Sequence, residues 1–503
     1  MKFLAKGIAI ATVLAASHSF AAMMTNNISG LYDETLLPQA QQPLLCVKDS
    51  DGKFTEWKDG EKFDPNAISG NKYYFGASLR LGGCADSDIY LGWLDVSGSD
   101  VKYKPADNSH IQLTDYSITN NVFNGKVAFT KILPAGNSFP TNTRVTDDWY
   151  TGINLSGLEF STMPNGSVIP DLSDDGADNK PTIEFLNQGA NTIRVPVRWA
   201  YLQPYGYQDI NSSNNETAFQ DYFNNLVAPT LATITSHKYY SIVDLHSYMH
   251  YSTVGSEVAG CTGQGQCPQG SLVTDPKYYV NIWNKLYSAI KQDPAINEQY
   301  LMFDLVNEPS AASGESLTAQ QAFDMEVAVI KSLTSMGFKG KLLVEGVHFS
   351  GLHSWDAAGN AIVFTRQNFL NAGVSSEVLD NQVIINVHQY LDSDFSGTHD
   401  QCLQDITTTG DNGFNLDAFV SYLKANKFKA IVTEFGVGKD QASCAKPLGD
   451  FLAYMKSHAY TETNGYGFVG WTAWSTGHGW GDYNLNITPN DWKDAILKGY
   501  FVN

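Results

Sequence analysis

Among the apolar runs of this chain that end on a carboxylate, two stand out. One is "LMFDLVNEPS" at 301–310, which carries Glu308, and the other is "AIVTEFG" at 430–436, which carries Glu434. A carboxylate at the lip of a core is costly unless something there uses it. Two carboxylates flanking a cleft can divide the cleavage of a glycosidic bond, one protonating the leaving oxygen while the other attacks the anomeric carbon. Mutual repulsion and partial burial would raise the pKa of one of them, leaving a proton available near neutrality. Other strand-like runs also carry polar or aromatic groups near their ends: Arg194, His246, Asn307 beside Glu308, His388 with Tyr390, and Trp471. The face of Trp471 would suit the apolar C–H face of a sugar ring. So many functional groups at strand ends are hard to explain by packing alone.

The elements that must position them can be read from the pattern. Eight short apolar runs recur: "GINLSGLEF" (152–160), "NTIRVPV" (191–197), "YSIVDLH" (240–246), "LMFDLVNE" (301–308), "KLLVEG" (341–346), "VIINVHQY" (383–390), "AIVTEFG" (430–436) and "GFVGWTAW" (467–474). Longer stretches with helical periodicity separate them, such as "AFQDYFNNLVAPTLATI" and "SLTAQQAFDMEVAVIKSLTSM". Strand and helix alternating in this way over 149–503 predict a (β/α)8 barrel, an α/β fold whose catalytic groups sit at the C-terminal ends of the strands. Glu308 would close the fourth strand and Glu434 the seventh, facing each other across the mouth. A doubly wound open sheet is the rival architecture, but no Gly-rich phosphate loop follows any of these runs.

The front of the chain differs. Residues 1–21 have Lys2 and Lys6 ahead of an apolar run and a small-residue cleavage site at Ser19-Phe20-Ala21, the pattern of a secretory signal. Residues 22–148 read as short strands punctuated by turns, which predicts a small all-β, sandwich-like domain. Trp57, Tyr73, Tyr74 and Trp93 could form a carbohydrate platform there, or simply its core. No Pro/Ser/Thr-rich linker follows, so this domain is expected to dock on the next.

The formal charge is −20, and removing Lys2 and Lys6 with the signal takes it to −22. Such a surface repels nucleic acid and anionic membranes and suits a neutral substrate. Six cysteines in an exported chain favour disulfides. Nearest-neighbour pairing would join Cys46 to Cys84, Cys261 to Cys267 and Cys402 to Cys444, although sequence alone leaves the connectivity open.

The stretches "NTIRVPVRWAYL", "IVDLHSY", "NEP", "EGVHFSGLHSW", "INVHQYLDSDFSGTHDQC", "TEFG" and "GFVGWTAW" occur in the order and spacing of a known family. From about 149 to 503 the chain resembles the family-5 glycoside hydrolases, and among them the secreted endo-β-1,4-glucanases typified by fungal cellulases. The resemblance implies retaining chemistry without a cofactor, with Glu308 as general acid/base and Glu434 as nucleophile. It implies that Asn307 hydrogen-bonds the sugar 2-hydroxyl, that Arg194 and Tyr390 hold Glu434 ionised, and that His246 and His388 line the subsite of the cleaved sugar with Trp471 beneath. It also supports the Cys402–Cys444 bridge. The chain departs from the family at Phe349, where Trp is usual; Trp355 keeps the later aromatic. That change puts glucan preference in question but not the chemistry.

Other features have plainer readings. His246 and His250 are spaced as in helical zinc motifs, but His246 ends a strand and "HSYMH" lacks the glutamate of that motif. "DLSDDGADN" (171–179) resembles a Ca²⁺ loop with Thr182 where a closing Glu belongs, and reads better as a solvated acidic loop. "TGHGWG" (476–481) could bring Trp474 and Trp480 to the cleft rim. The expectation is therefore a secreted, monomeric enzyme acting on a β-glucan polysaccharide, with no metal, nucleic-acid or membrane partner. Mannan, xyloglucan or mixed-linkage glucan is the alternative substrate, and a catalytically dead glycan-binding adhesin is the alternative class.

Overall fold

The computed structural model describes residues 139–144, 149–156, 159, 181–251, 270–406, 414–476 and 483–502, together with nine strands between 24 and 129. The signal segment, the "DLSDDGADN" loop, Trp480, Cys84, Cys261 and Cys267 lie outside the described residues. So do Trp57 and the side chains of Cys46, Tyr73, Tyr74 and Trp93.

The front strands form two sheets. One is antiparallel, in the order Phe54–Glu56, Leu44–Lys48, Lys72–Ser78, Ile89–Asp95, Lys102–Pro105. The other runs Lys62–Phe63, Met24–Asn27, Val122–Phe129, Ile111–Thr119, with Met24–Asn27 parallel to Val122–Phe129.

All eight predicted runs become strands of one closed parallel barrel. They are β1 (Tyr150–Leu155), β2 (Thr192–Val197), β3 (Tyr240–Leu245) and β4 (Leu301–Asp304). The circle continues through β5 (Lys341–Glu345), β6 (Val383–Tyr390), β7 (Lys429–Gly436) and β8 (Gly467–Thr476), which pairs back onto β1. The helices between them start on local signals. Thr318 and Gln321 form a reciprocal capping box at the head of Ala319–Ser335, and Asp275 caps Pro276–Gln292. The "AFQDYFNNLVAPTLATI" segment is helical from Ser213 to Ser236, with a π turn at Phe223–Val227.

Side chains on a strand alternate faces, so every second residue enters the barrel. Tyr150, Ile242, Met302, Leu343, Ile384, Ile431 and Val469 form an apolar plug inside it. Two residues further along the strands, the inward positions turn polar: Asp244, Asp304, Glu345, Asn386 and Thr433 are all fully buried beside Arg194. The barrel therefore has an apolar floor and a charged layer above it, directly below the catalytic mouth.

Register shifts occur at three places in the barrel: between β8 and β1, where Ile153 pairs with Ala473 but Leu155 with Thr476, and at two further ladders. Between β6 and β7, Val387 pairs with Val432 but His388 with Glu434, so Thr433 is an extra residue in β7. This bulge lets Thr433 and Glu434 both point inward. Between β7 and β8, Ala430 pairs with Phe468 but Ile431 with Gly470, leaving Val469 as the extra residue. Gly470 sits there at φ +144°, where a Cβ would lie 1.8 Å from the Tyr150 carbonyl oxygen.

The segment before β1 meets the barrel at the end where its strands begin. Phe139 packs on His237 and Tyr239, and Asn142 donates its N–H to the His237 carbonyl and its amide to that of Lys238. Cys402 and Cys444 are bonded, tying the loop after β6 to the helix Gln441–Ser457 that follows β7.

Candidate active site

Glu308 and Glu434 converge at the mouth of the barrel as the strand order predicts, but each arrives by a local irregularity. The β4 ladder ends at Asp304, and the chain reaches Glu308 through a turn in which Glu308 itself has φ +46°. A left-handed conformation is unusual for a non-glycine residue and is held here by its surroundings. Its N–H donates to Glu345 Oε2 at 2.7 Å. Glu434 owes its inward aim to the bulge at Thr433.

The two carboxylates have different partners. Glu308 Oε1 lies 2.8 Å from His388 Nδ1. Glu434 Oε1 accepts from Arg194 Nη1 at 2.6 Å and its Oε2 accepts from the Tyr390 hydroxyl at 2.8 Å. Their acidities are driven apart as a result. Burial pushes the Glu308 carboxyl above the usual carboxylate range, the charge of Glu434 adds to this, and the hydrogen bond from His388 offsets only part. Burial acts on Glu434 as well, but His388, Arg194 and His246 outweigh it and hold that carboxyl below its ordinary value. One oxygen of Glu308, one of Glu434 and one nitrogen of His388 all lie within 4.8 Å of one another.

Arg194 organises the polar layer. Its Nε donates to Asp304 Oδ2 at 3.0 Å, and Nη2 bonds Asp244 Oδ2 at 3.0 Å and Asn307 Oδ1 at 2.7 Å. Burial disfavours the guanidinium charge, yet the surrounding carboxylates raise its pKa well above the ordinary arginine value. Because arginine can only donate, the Asn307 oxygen must face it. The amide Nδ2 of Asn307 is thereby left without a partner among the described residues. His246 Nδ1 is 2.8 Å from Asp244 Oδ2, and its Nε2 is 3.2 Å from the Tyr248 hydroxyl. His250 is held elsewhere, by the Tyr248 carbonyl and Glu315, so each histidine of "HSYMH" is satisfied by its own neighbours.

Arg194, His246, Asn307, Glu308, His388, Tyr390 and Glu434 thus come together. Trp471 does not join them. The bulge at Val469 reverses the alternation after it, so Trp471 leaves the barrel on its outer face. There it is fully buried, edge-on to Phe435 and stacked on Phe501. The inward aromatic of β8 is Trp474, whose ring is parallel to His246 at 5.6 Å. Glu345 was missed as a site residue, although "KLLVEG" also ends an apolar run on a carboxylate. Phe349, one of the few large exposed apolar side chains among the described residues, follows the same strand, with His348, Phe349 and Ser350 all at positive φ.

A closed (β/α)8 barrel carrying two close carboxylates of opposed acidity at its C-terminal mouth is the architecture of a glycoside hydrolase. The chain belongs to glycosyl hydrolase family 5, the cellulase family, whose profile matches residues 151–477. It is 28% identical over 366 residues to Endoglucanase 1 of Robillarda sp. (strain Y-20), covering 70% of this chain and 84% of that one. Endoglucanase 1 of Saitozyma flava is 28% identical over 352 residues, covering 69% and 86%. Among solved structures, an endo-β-1,4-glucanase from Xanthomonas axonopodis pv. citri, in a triple-mutant form, shares 25% identity at a TM-score of 0.50, covering 70% of this chain and 98% of that one. The structure of XacCel5A in complex with cellopentaose shares 26% identity at a TM-score of 0.50, with the same coverage.

Proposed function

We propose that this protein is a retaining endo-β-1,4-glucanase that cleaves cellulose or a related β-glucan by double displacement. The observation that carries the reading is the carboxylate pair. One oxygen of Glu308 and one of Glu434 lie within 4.8 Å of each other, which supports the roughly 5–5.5 Å carboxyl spacing of a retaining enzyme over the about 6.5–9.5 Å of an inverting one.

Glu434, kept ionised by Arg194 and Tyr390, attacks the anomeric carbon. Glu308, whose carboxyl burial pushes towards the protonated form, gives its proton to the leaving oxygen. The glycosyl–Glu434 ester is then hydrolysed by a water that Glu308, now a carboxylate, deprotonates. Asn307 Nδ2 is the free donor for the sugar 2-hydroxyl, and Trp474 supplies the stacking face that the sequence suggested for Trp471. The endoglucanase relatives and the cellopentaose complex of XacCel5A support a β-glucan as substrate.

The leading segment and the disulfide fit a secreted enzyme. Among the described residues no helix is long and apolar enough to cross a membrane. For residues 22–148 we propose polysaccharide binding, on their Trp and Tyr content; a full-length chain should bind cellulose more strongly than one lacking them.

Reducing-end release from carboxymethyl cellulose, mannan and xyloglucan tests the reading. Release chiefly from carboxymethyl cellulose is expected. Preference for another polymer would move the substrate within the fold, and binding with no release from any would indicate an adhesin.

A further inference from the structure

We infer that Glu345 is a positioning residue for the acid/base: it holds the backbone turn that delivers Glu308 and, through His388, retains the proton that Glu308 hands to the leaving oxygen. The inference rests on the roles proposed above for Glu308 and Glu434.

The hydrogen-bond directions carry the argument. Asn386 Nδ2 lies 3.0 Å from Asp304 Oδ2 and 2.7 Å from Glu345 Oε1, both acceptors, so its Oδ1 is an acceptor on the other side. The Thr433 hydroxyl, 2.8 Å from that oxygen, must donate to it. Thr433 Oγ1 can then only accept from His388 Nε2, at 3.0 Å, so Nε2 carries a hydrogen. The mobile proton is the one between His388 Nδ1 and Glu308 Oε1.

Glu345 reaches both ends of this pair. Its Oε2 takes the Glu308 N–H, and its Oε1 lies 3.2 Å from His388 Nε2, on the far side of the ring from Glu308. A negative charge there favours the doubly protonated ring and so keeps the shared proton on the pair as the solution becomes more basic.

The groups facing His388 are Glu308 from the turn after β4, Glu345 from β5, and Glu434 from β7, whose Oε2 is 3.8 Å from Nδ1, with Asp304 of β4 also in its field. Glu345 itself faces His388 and Asn386 on β6 and Arg194 on β2, with Asp304 on β4 in its field. Its own N–H donates to Glu326 from the helix Ala319–Ser335. Burial pushes the Glu345 carboxyl up, but the hydrogen-bond neighbours of its two oxygens are all donors, so a proton placed there would have no acceptor. His388 is raised well above the ordinary histidine value although burial opposes it, with Glu345 the largest favourable charge.

Glu345→Gln removes the charge. With its oxygen still on the Glu308 N–H, the new amide nitrogen would point a donor at His388 Nε2–H. The basic limb of the kcat/KM profile on a soluble cello-oligosaccharide should therefore move to lower pH by about one to three units. On dinitrophenyl cellobioside, whose leaving group needs no proton, kcat/KM above neutrality should hardly change. Glu345→Asp keeps the charge and should leave the limb where the wild-type enzyme has it, even if kcat falls. An unmoved limb in Glu345→Gln, an equal shift in both variants, or parallel losses on both substrates would overturn the inference. A wild-type protein inactive on both substrates would instead overturn the glucanase reading beneath it.

Discussion

Tyr390 donates its hydroxyl to Glu434 Oε2 at 2.8 Å, while Arg194 occupies the other oxygen of the same carboxylate. Both donors favour the charged form of Glu434, the form its proposed role as nucleophile requires. Tyr390→Phe removes one of them, so the Glu434 pKa should rise. The acidic limb of kcat/KM should move to higher pH by about one unit, with the basic limb in place. A pH profile of the purified variant checks this; a shift of the basic limb instead would mean that Glu308 and Glu434 are assigned the wrong way round.

The roles of the two glutamates can also be read from products. In Glu308→Ala, an aryl glycoside should still form the glycosyl-enzyme, which accumulates because no base activates water. Azide needs no base, so it should restore turnover and give the β-glycosyl azide. In Glu434→Ala no ester can form, and any azide rescue should give the α product. NMR of the anomeric configuration decides between these assignments.

Trp471 and Trp474 should separate stability from binding. Trp471 is packed between the barrel and Phe501, so Trp471→Ala should cost about 3–5 kcal/mol of stability. Trp474 lies against His246 at the site, so Trp474→Ala should lower kcat/KM on cello-oligosaccharides by about tenfold or more, whereas folded Trp471→Ala should keep kcat/KM nearly unchanged. Thermal melts and kinetics on both variants would expose a reversal.

The Cys402–Cys444 bridge closes a sequence separation of 42 residues. Replacing both cysteines by alanine should cost about 2–4 kcal/mol, measured by denaturant unfolding. Because the bridge ties the loop after β6 to the helix after β7, substrate affinity should fall along with stability.

A chain beginning at residue 149 would lack Phe139, Asn142 and Arg144, of which Arg144 donates to the Leu186 carbonyl. Loss of a buried Phe and these hydrogen bonds should cost about 3 kcal/mol or more relative to a chain beginning at residue 138. If both melt at the same temperature, the segment is not part of the barrel fold.

The eight strands, their order and the placing of Glu308 and Glu434 at the barrel mouth were legible in the sequence because apolar runs and their spacing are local properties of the chain. Strand order then follows from the right-handed helical crossovers that join neighbouring strands of a parallel barrel. The resemblance carried the Cys402–Cys444 pair and most of the site. Which face of β8 enters the barrel was not legible. A bulge belongs to the pairing of two strands, and the extra residue at Val469 sends Trp471 outward and Trp474 inward. Glu345 was hidden for a similar reason: its partners come from β4 and β6, as His388 reaches Glu308 across 80 residues of sequence. The opposed acidities of Glu308 and Glu434 are likewise a matter of distance. Each is buried at a strand end, and only the closed barrel sets Arg194 and Tyr390 against one of them and not the other.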